Sequence, residues 1–238
     1  MKNARSITLG IAALAVAAWT ASPVAGQEGR GGAGAPAAAQ EGRGQGAAPA
    51  PAGPIPRRPD GHPDLTGTFN GGVQLSHTVI LEAHEGGFGV TAGKGLITDP
   101  PNGVIPYQAW ALSERNRRRE DANGYEDPVG HCEFYDIGRV HSFAQTYAFD
   151  DQGHFIINAN QHQTRVVDLN RTTHLPESIR LWLGDPIGHW DGDTMVVDST
   201  NFNGRPRMAI GGDFYGPEAH IVERWVMKDS NTINWTMT

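Results

Sequence analysis

Histidine is the conspicuous chemical residue of this 238-residue chain: there are 10, against one Cys and three Lys. An imidazole beside a carboxylate can act as a general base, because the carboxylate fixes the tautomer and raises basicity. Asp185 and His189 lie close enough in sequence for that role, and His220 is a second candidate. The string around them also reads as a plain hairpin, with Gly184, Gly188 and Gly192 supplying unusual dihedrals and Asp191 and Asp193 in turns. In an extended strand His220, Val222 and Arg224 share one face and Ile221, Glu223 and Trp225 the other. His220 with Arg224 then suits a polar pocket for an anionic or oxygenated ligand, or a surface Glu–Arg row. Asn158, Asn160 and His162 would also align on one face, lining either a wet lumen or solvent. Our expectation is that Asp185, His189 and His220 meet at a common cavity, with Asn158, Asn160, His162 and Arg224 as ligand contacts. His77, His141 and His174 read as isolated and ordinary.

No stronger chemical motif competes. There is no H-E-x-x-H and no Cys/His spacing of the zinc-finger kind, so no metal site is assigned, and no cofactor. Nucleophile elbow, P-loop and dinucleotide fingerprints are missing too. Asp150 and Asp151 are adjacent in a turn, the wrong geometry for a glycosidase pair. The lone Cys132 cannot form an intrachain disulfide, and burial is expected for it.

Composition excludes several classes. The chain carries 19 Lys and Arg against 26 Asp and Glu. Six of the cations and three of the anions precede residue 61, so residues 61–238 hold a net charge of −10 and all the histidines. That balance argues against nucleic acid and anionic lipid as partners. With 31 Gly and 16 Pro a coiled coil is excluded.

Residues 1–26 read as a secretory signal: Lys2 and Arg5, an apolar Ile7–Trp19, and small residues at Val24–Gly26. The apolar run is too short to span a bilayer, so no stable membrane anchor is expected once it is removed, and the destination is periplasmic or secreted. Residues 27–60 contain 8 Gly, 9 Ala and 6 Pro and read as a disordered linker. Residues 61–238 are expected to form a single domain.

The elements that must position the histidines are short strands. Leu75–Glu82, Ser142–Phe149, His154–Ala159, Thr164–Leu169, Ala219–Met227 and Thr232–Met237 are strand-like. Asp191-Gly192 is a hairpin signal, and turns fall at Asp150–Gly153 and Lys228–Asn231. One helix is predicted from Pro106, with Tyr107, Trp110 and Ala111 on one face, Arg115–Arg119 at a solvated end and Asn123-Gly124 as its stop. The pattern is mainly β: an antiparallel, lipocalin-like barrel or barrel-like meander with one short helix.

Several strings occur together: Pro59-Asp60-Gly61-His62-Pro63-Asp64-Leu65-Thr66-Gly67, Ile105–Trp110, Glu126-Asp127-Pro128 with Cys132, His162–Val166, Trp182–Asp198 and Ala219–Arg224. The set resembles a family of uncharacterised secreted bacterial proteins with a PDG-PDL-G start and a WLGD-G-W-GDTLVVD centre. The resemblance covers residues 59–238 and brings no function with it. It implies further strand sequence after Thr238, and with it the expectation of a barrel that is C-terminally incomplete here; residues Glu133–His141 depart from it. Three functions stay open: a binding module for one small apolar or aromatic molecule, a hydrolase or lyase using His with Asp or Glu, and a non-catalytic envelope interaction protein.

Overall fold

The computed structural model describes residues 51–71, 80–86, 92–120, 126–159 and 163–238. The signal-like segment, most of the linker, Leu75–Val79, Asn123-Gly124, Asn160 and His162 lie outside the described residues. Eight strands follow chain order in one sheet: β1 Gly67–Phe69, β2 Gln145–Phe149, β3 His154–Ala159, β4 Gln163–Asp168, β5 Asp185–Asp191, β6 Thr194–Thr200, β7 Ile221–Asp229 and β8 Thr232–Met237. The helix α1 spans Ala109–Arg119.

Local chemistry explains the hairpins. Asp150 Oδ1 accepts from the N–H groups of Gln152 and His154, closing the β2–β3 turn. Gly192 takes φ 57° between β5 and β6, a left-handed conformation at little cost only for glycine. Asp229 Oδ1 accepts from Asn231 N–H between β7 and β8, where a bulge falls between Met227 and Asp229.

The alternation predicted for β3 and β7 holds. Phe155, Ile157, Ile221, Glu223, Trp225 and Met227 are buried, while Asn158 and Arg224 are exposed. The inner faces of the strands build one core from Leu65, Tyr147, Phe155, Val167, Met195, Trp225 and their neighbours. The result is a nearly closed barrel with one seam.

Strand direction departs from a pure antiparallel meander at one junction. The segment 169–184 loops back so that β5 enters beside the last residues of β4 and runs in the same direction, and the two pair in parallel, Asp168 opposite Ile187. Every other neighbouring pair is antiparallel. A single parallel junction leaves β1 and β8 pointing the same way. Among the described residues they do not pair, and the seam lies between them.

Other expectations need correction. Ile80–Glu82 is not a strand: Leu81 C=O accepts from Leu96 N–H, and the Glu82 carboxylate accepts from Ile105 N–H and Arg115. The helix starts three residues after Pro106 and buries Ala111 and Arg115, not Trp110, which is 63% exposed. Its buried side is set by the loop carrying Gly212, where an added Cβ would lie 2.6 Å from Arg115 C=O. Cys132 is exposed because its left-handed backbone (φ 63°) ends a 3₁₀ turn at the surface. Within the segment read as linker, Gly53 N–H donates to Ser230 Oγ and Gly53 C=O accepts from Ser230 N–H, Ile55 packs against the core and Arg57 makes a bidentate pair with Asp193 at 2.7 Å. Prolines make this extended strap cheap to order, since their φ is already fixed.

Candidate functional site

Two histidine-bearing regions could support function, one outside the barrel and one at its seam. The outer region lies over β5–β7. Register places Asp198 between Ile187 and Val222, and His189 beside Val196, itself opposite Arg224. Asp185 is 2% exposed and fully engaged. It takes both terminal nitrogens of Arg171 (2.7 and 3.1 Å), Leu175 N–H (2.8 Å) and His174 Nδ1 (3.2 Å). His174 Nε2 reaches Asp198 Oδ1 at 3.1 Å, and His220 Nε2 meets the same oxygen at 2.8 Å. The four side chains thus run Asp185–His174–Asp198–His220. Burial alone would raise the Asp185 carboxyl, but the Arg171 and Leu175 bonds, the Arg171 charge and His174 outweigh it and hold the group below its ordinary value.

This arrangement joins two of the three residues singled out for acid–base work, through partners that were not. The His189 side chain is exposed and makes no hydrogen bond to another described residue. The segment 169–184 explains the clamp. Asn201, at φ 59°, donates from its amide to the carbonyls of Leu175 and Pro176, and Leu181 N–H donates to Asn201 C=O. Asp185 then fastens the same segment through Arg171 and Leu175. A carboxylate accepting from so many donors is a weak base, and both ring nitrogens of His174 already face carboxylates. The cluster is built to hold a crossover in place.

Of the four expected ligand contacts two are described, and both lie on the outer face. Asn158 is exposed on the outer face of β3 and accepts from Thr164 Oγ1 at 2.8 Å. Arg224 lies outside near Asp191, at 3.9 Å. Asn160 and His162 fall outside the described residues. The partner of alternation, Glu223, points inward instead: it is fully buried, ion-paired with Arg165 and accepting from Trp235 Nε1 at 3.2 Å, while Arg165 also donates to Ser199 Oγ at 2.7 Å. Desolvation pushes the Glu223 carboxyl up, against the pull of Arg165 and the Trp235 bond.

The seam opens a groove of about 780 Å³ between β1, β2 and β8. Its walls include Phe69, Tyr147 and Trp235, and among the described residues none of its lining side chains is Asp, Glu, Lys or Arg. At its floor His141 stacks on Trp235, ring centroids 3.7 Å apart. Burial, with Arg165 nearby, lowers the His141 pKa to about 3, so the ring is neutral. Beside it Gln145 is 2% exposed, and its side-chain oxygen has no hydrogen-bond partner among the described residues. Both residues also line a small inner cavity with Gln163 and Arg165. The β8 edge adds backbone polarity. Thr238 and Val222 exchange two bonds of 2.9 Å, so by alternation Ile233, Trp235 and Met237 turn their N–H and C=O groups toward the seam.

Fold and groove together define a β-barrel-like domain with one open seam, the volume of which falls in the range of small-molecule sites. Comparison with known proteins goes no further: no family model, no curated protein and no solved structure matches the chain.

Proposed function

We propose that this is an exported binding domain that takes one small, uncharged aromatic or apolar molecule into the seam groove. The observation that carries the reading is the lining: among the described residues, aromatic walls without a charged side chain, ending on a neutral His141 and an oxygen of Gln145 with no hydrogen-bond partner. Aromatic faces stabilise a stacked ring by about 0.5–1.5 kcal/mol per pair. A buried acceptor left unpaired costs about 1–3 kcal/mol, which a ligand hydroxyl would recover. Export rests on the signal-like sequence of residues 1–26.

Titration with 2-naphthol, followed by quenching of tryptophan fluorescence and by native mass spectrometry, tests the reading. We expect saturable binding of one molecule. Trp235→Leu and Gln145→Leu should each weaken it about tenfold, equivalent to roughly 1.4 kcal/mol. Binding that never saturates, or that both substitutions leave unchanged, would sink the proposal. The acid–base alternative is less well supported, because its carboxylate Asp185 is consumed by the clamp.

A further inference from the structure

A second hollow, away from the seam, has the opposite character. It holds about 350 Å³ between the last turn of α1, the loop around Pro128–Glu133 and the loop Gly204–Arg207. Arg117, Arg118, Arg205 and Arg207 line it together with Glu126 and Glu133. Three of these arginines are matched by carboxylates. Arg117 bonds both Glu114 and Glu126, at 2.8–3.0 Å; Arg118 bonds Glu114 at 2.7 Å; Arg205 reaches Glu133 at 3.3 Å.

Among the described residues Arg207 has only one carboxylate contact, a long one from Nη2 to Glu126 Oε2 at 3.5 Å. Its side chain is 3% exposed, and that oxygen is already held by Arg117 at 2.9 Å. Its Nη1 is buried with no hydrogen-bond partner among the described residues. The neighbouring Asp127 offers little, because Arg139 occupies both its oxygens at 2.9–3.0 Å. A buried guanidinium with an open donor lacks an acceptor, and desolvating it that way is costly.

We propose that this hollow is a binding site for a small monoanionic carboxylate, seated on Arg207 with Arg205 at the rim. The planar guanidinium fork matches a carboxylate in shape and hydrogen bonding. Glu126 and Glu133 in the wall disfavour a dianion by like-charge repulsion. Arg205 is 63% exposed in its side chain and can swing inward, and it sits 5.1 Å over the Trp182 ring, so binding should register in that indole.

Butyrate is the probe, since it has no ring to occupy the seam groove, and sulfate is the comparison anion. In calorimetric and fluorescence titrations of the whole chain we expect saturable butyrate binding, tighter than sulfate, with the fluorescence change abolished in Trp182→Phe. Arg207→Lys keeps the charge but loses the fork, and should weaken butyrate about tenfold. Glu126→Gln removes a competing acceptor and a like charge, and should tighten it several-fold. If Arg207→Lys fails to fold, Glu126→Gln together with a several-fold loss in Arg205→Gln carries the test. Failure to saturate by about 50 mM, equal affinity for sulfate (an adventitious ion only), or no response to these substitutions would each overturn the proposal.

Discussion

Set side by side, the inner histidine and the outer pair show how one side chain serves opposite ends. His141 is buried, neutral and stacked on Trp235, at the floor of a groove without charged walls. His174 and His220 sit outside the sheet against the single oxygen Asp198 Oδ1, in a chain of carboxylates that ties down residues 169–184. The inner region pairs Arg165 with Glu223 inside a largely apolar core; the outer one is a web of partly hydrated pairs. A surplus of histidines therefore marks two environments, and only the inner one offers an enclosed volume.

The comparison predicts unequal fragility. Glu223→Gln leaves Arg165 buried without its counter-charge, and should cost about 3–5 kcal/mol in chemical denaturation. Replacing both, Arg165→Met with Glu223→Leu, should restore most of that loss, because an apolar pair avoids the desolvation penalty. A single-substitution cost below about 1 kcal/mol would mean that water reaches the pair. At the outer clamp, Asp185→Ala removes a bidentate arginine, a backbone N–H and an imidazole contact at once. The expected cost is smaller, about 2–3 kcal/mol, because Arg171 stays partly hydrated. Hydrogen exchange should quicken in residues 169–184 and leave β8 unchanged.

Acid should separate the regions by pH window. The His141 pKa falls from 6.5 in the unfolded chain to about 3 when folded. Between those values the unfolded state binds the extra proton, so stability rises with pH and is lost as pH drops below about 6.5. The slope is at most roughly 1.4 kcal/mol per pH unit. The raised carboxyls of Glu223 and Asp136 act with the opposite sign, so the informative quantity is the difference from His141→Phe, which keeps the stack on Trp235. Asp185, lowered from 3.8, contributes stability that is present above 3.8 and lost only as pH falls further, through its folded pKa. Identical pH profiles for wild type and His141→Phe above pH 4 would contradict a buried, neutral ring.

Alternation and turn chemistry made most of the barrel legible. The Asp191-Gly192 hairpin, the two faces of β7 and the limits of β8 are all local patterns. The parallel junction was not, because the segment between Leu169 and Gly184 has no period to read, and the contact that defines it joins Asp168 to Ile187. The site suffered for the same reason. Asp185 and His220 were visible as residue types, but the side chain between them, His174, sits in that aperiodic segment. His141 and Gln145 line the groove because β1 and β8 run the same way, a consequence of topology and not of spacing. Ile80–Glu82 looked like a strand because apolar residues that cover a helix and those that join a sheet have the same composition.

The smallest expected effect tests the division most directly. His189 belongs to the motif that first suggested chemistry, yet it lies exposed beside Val196 on the outer face. His189→Ala should change stability by no more than about 0.5 kcal/mol, as for a surface residue without a buried partner. It should leave 2-naphthol binding at the seam and butyrate binding at Arg207 untouched. His220→Ala removes a bond to Asp198 from an exposed ring and should cost somewhat more, while Asp198 keeps His174. If His189→Ala alone abolished binding of either probe, the outer face would contain a site that this distribution of buried and exposed histidines does not provide, and the seam would lose its claim to be the functional one.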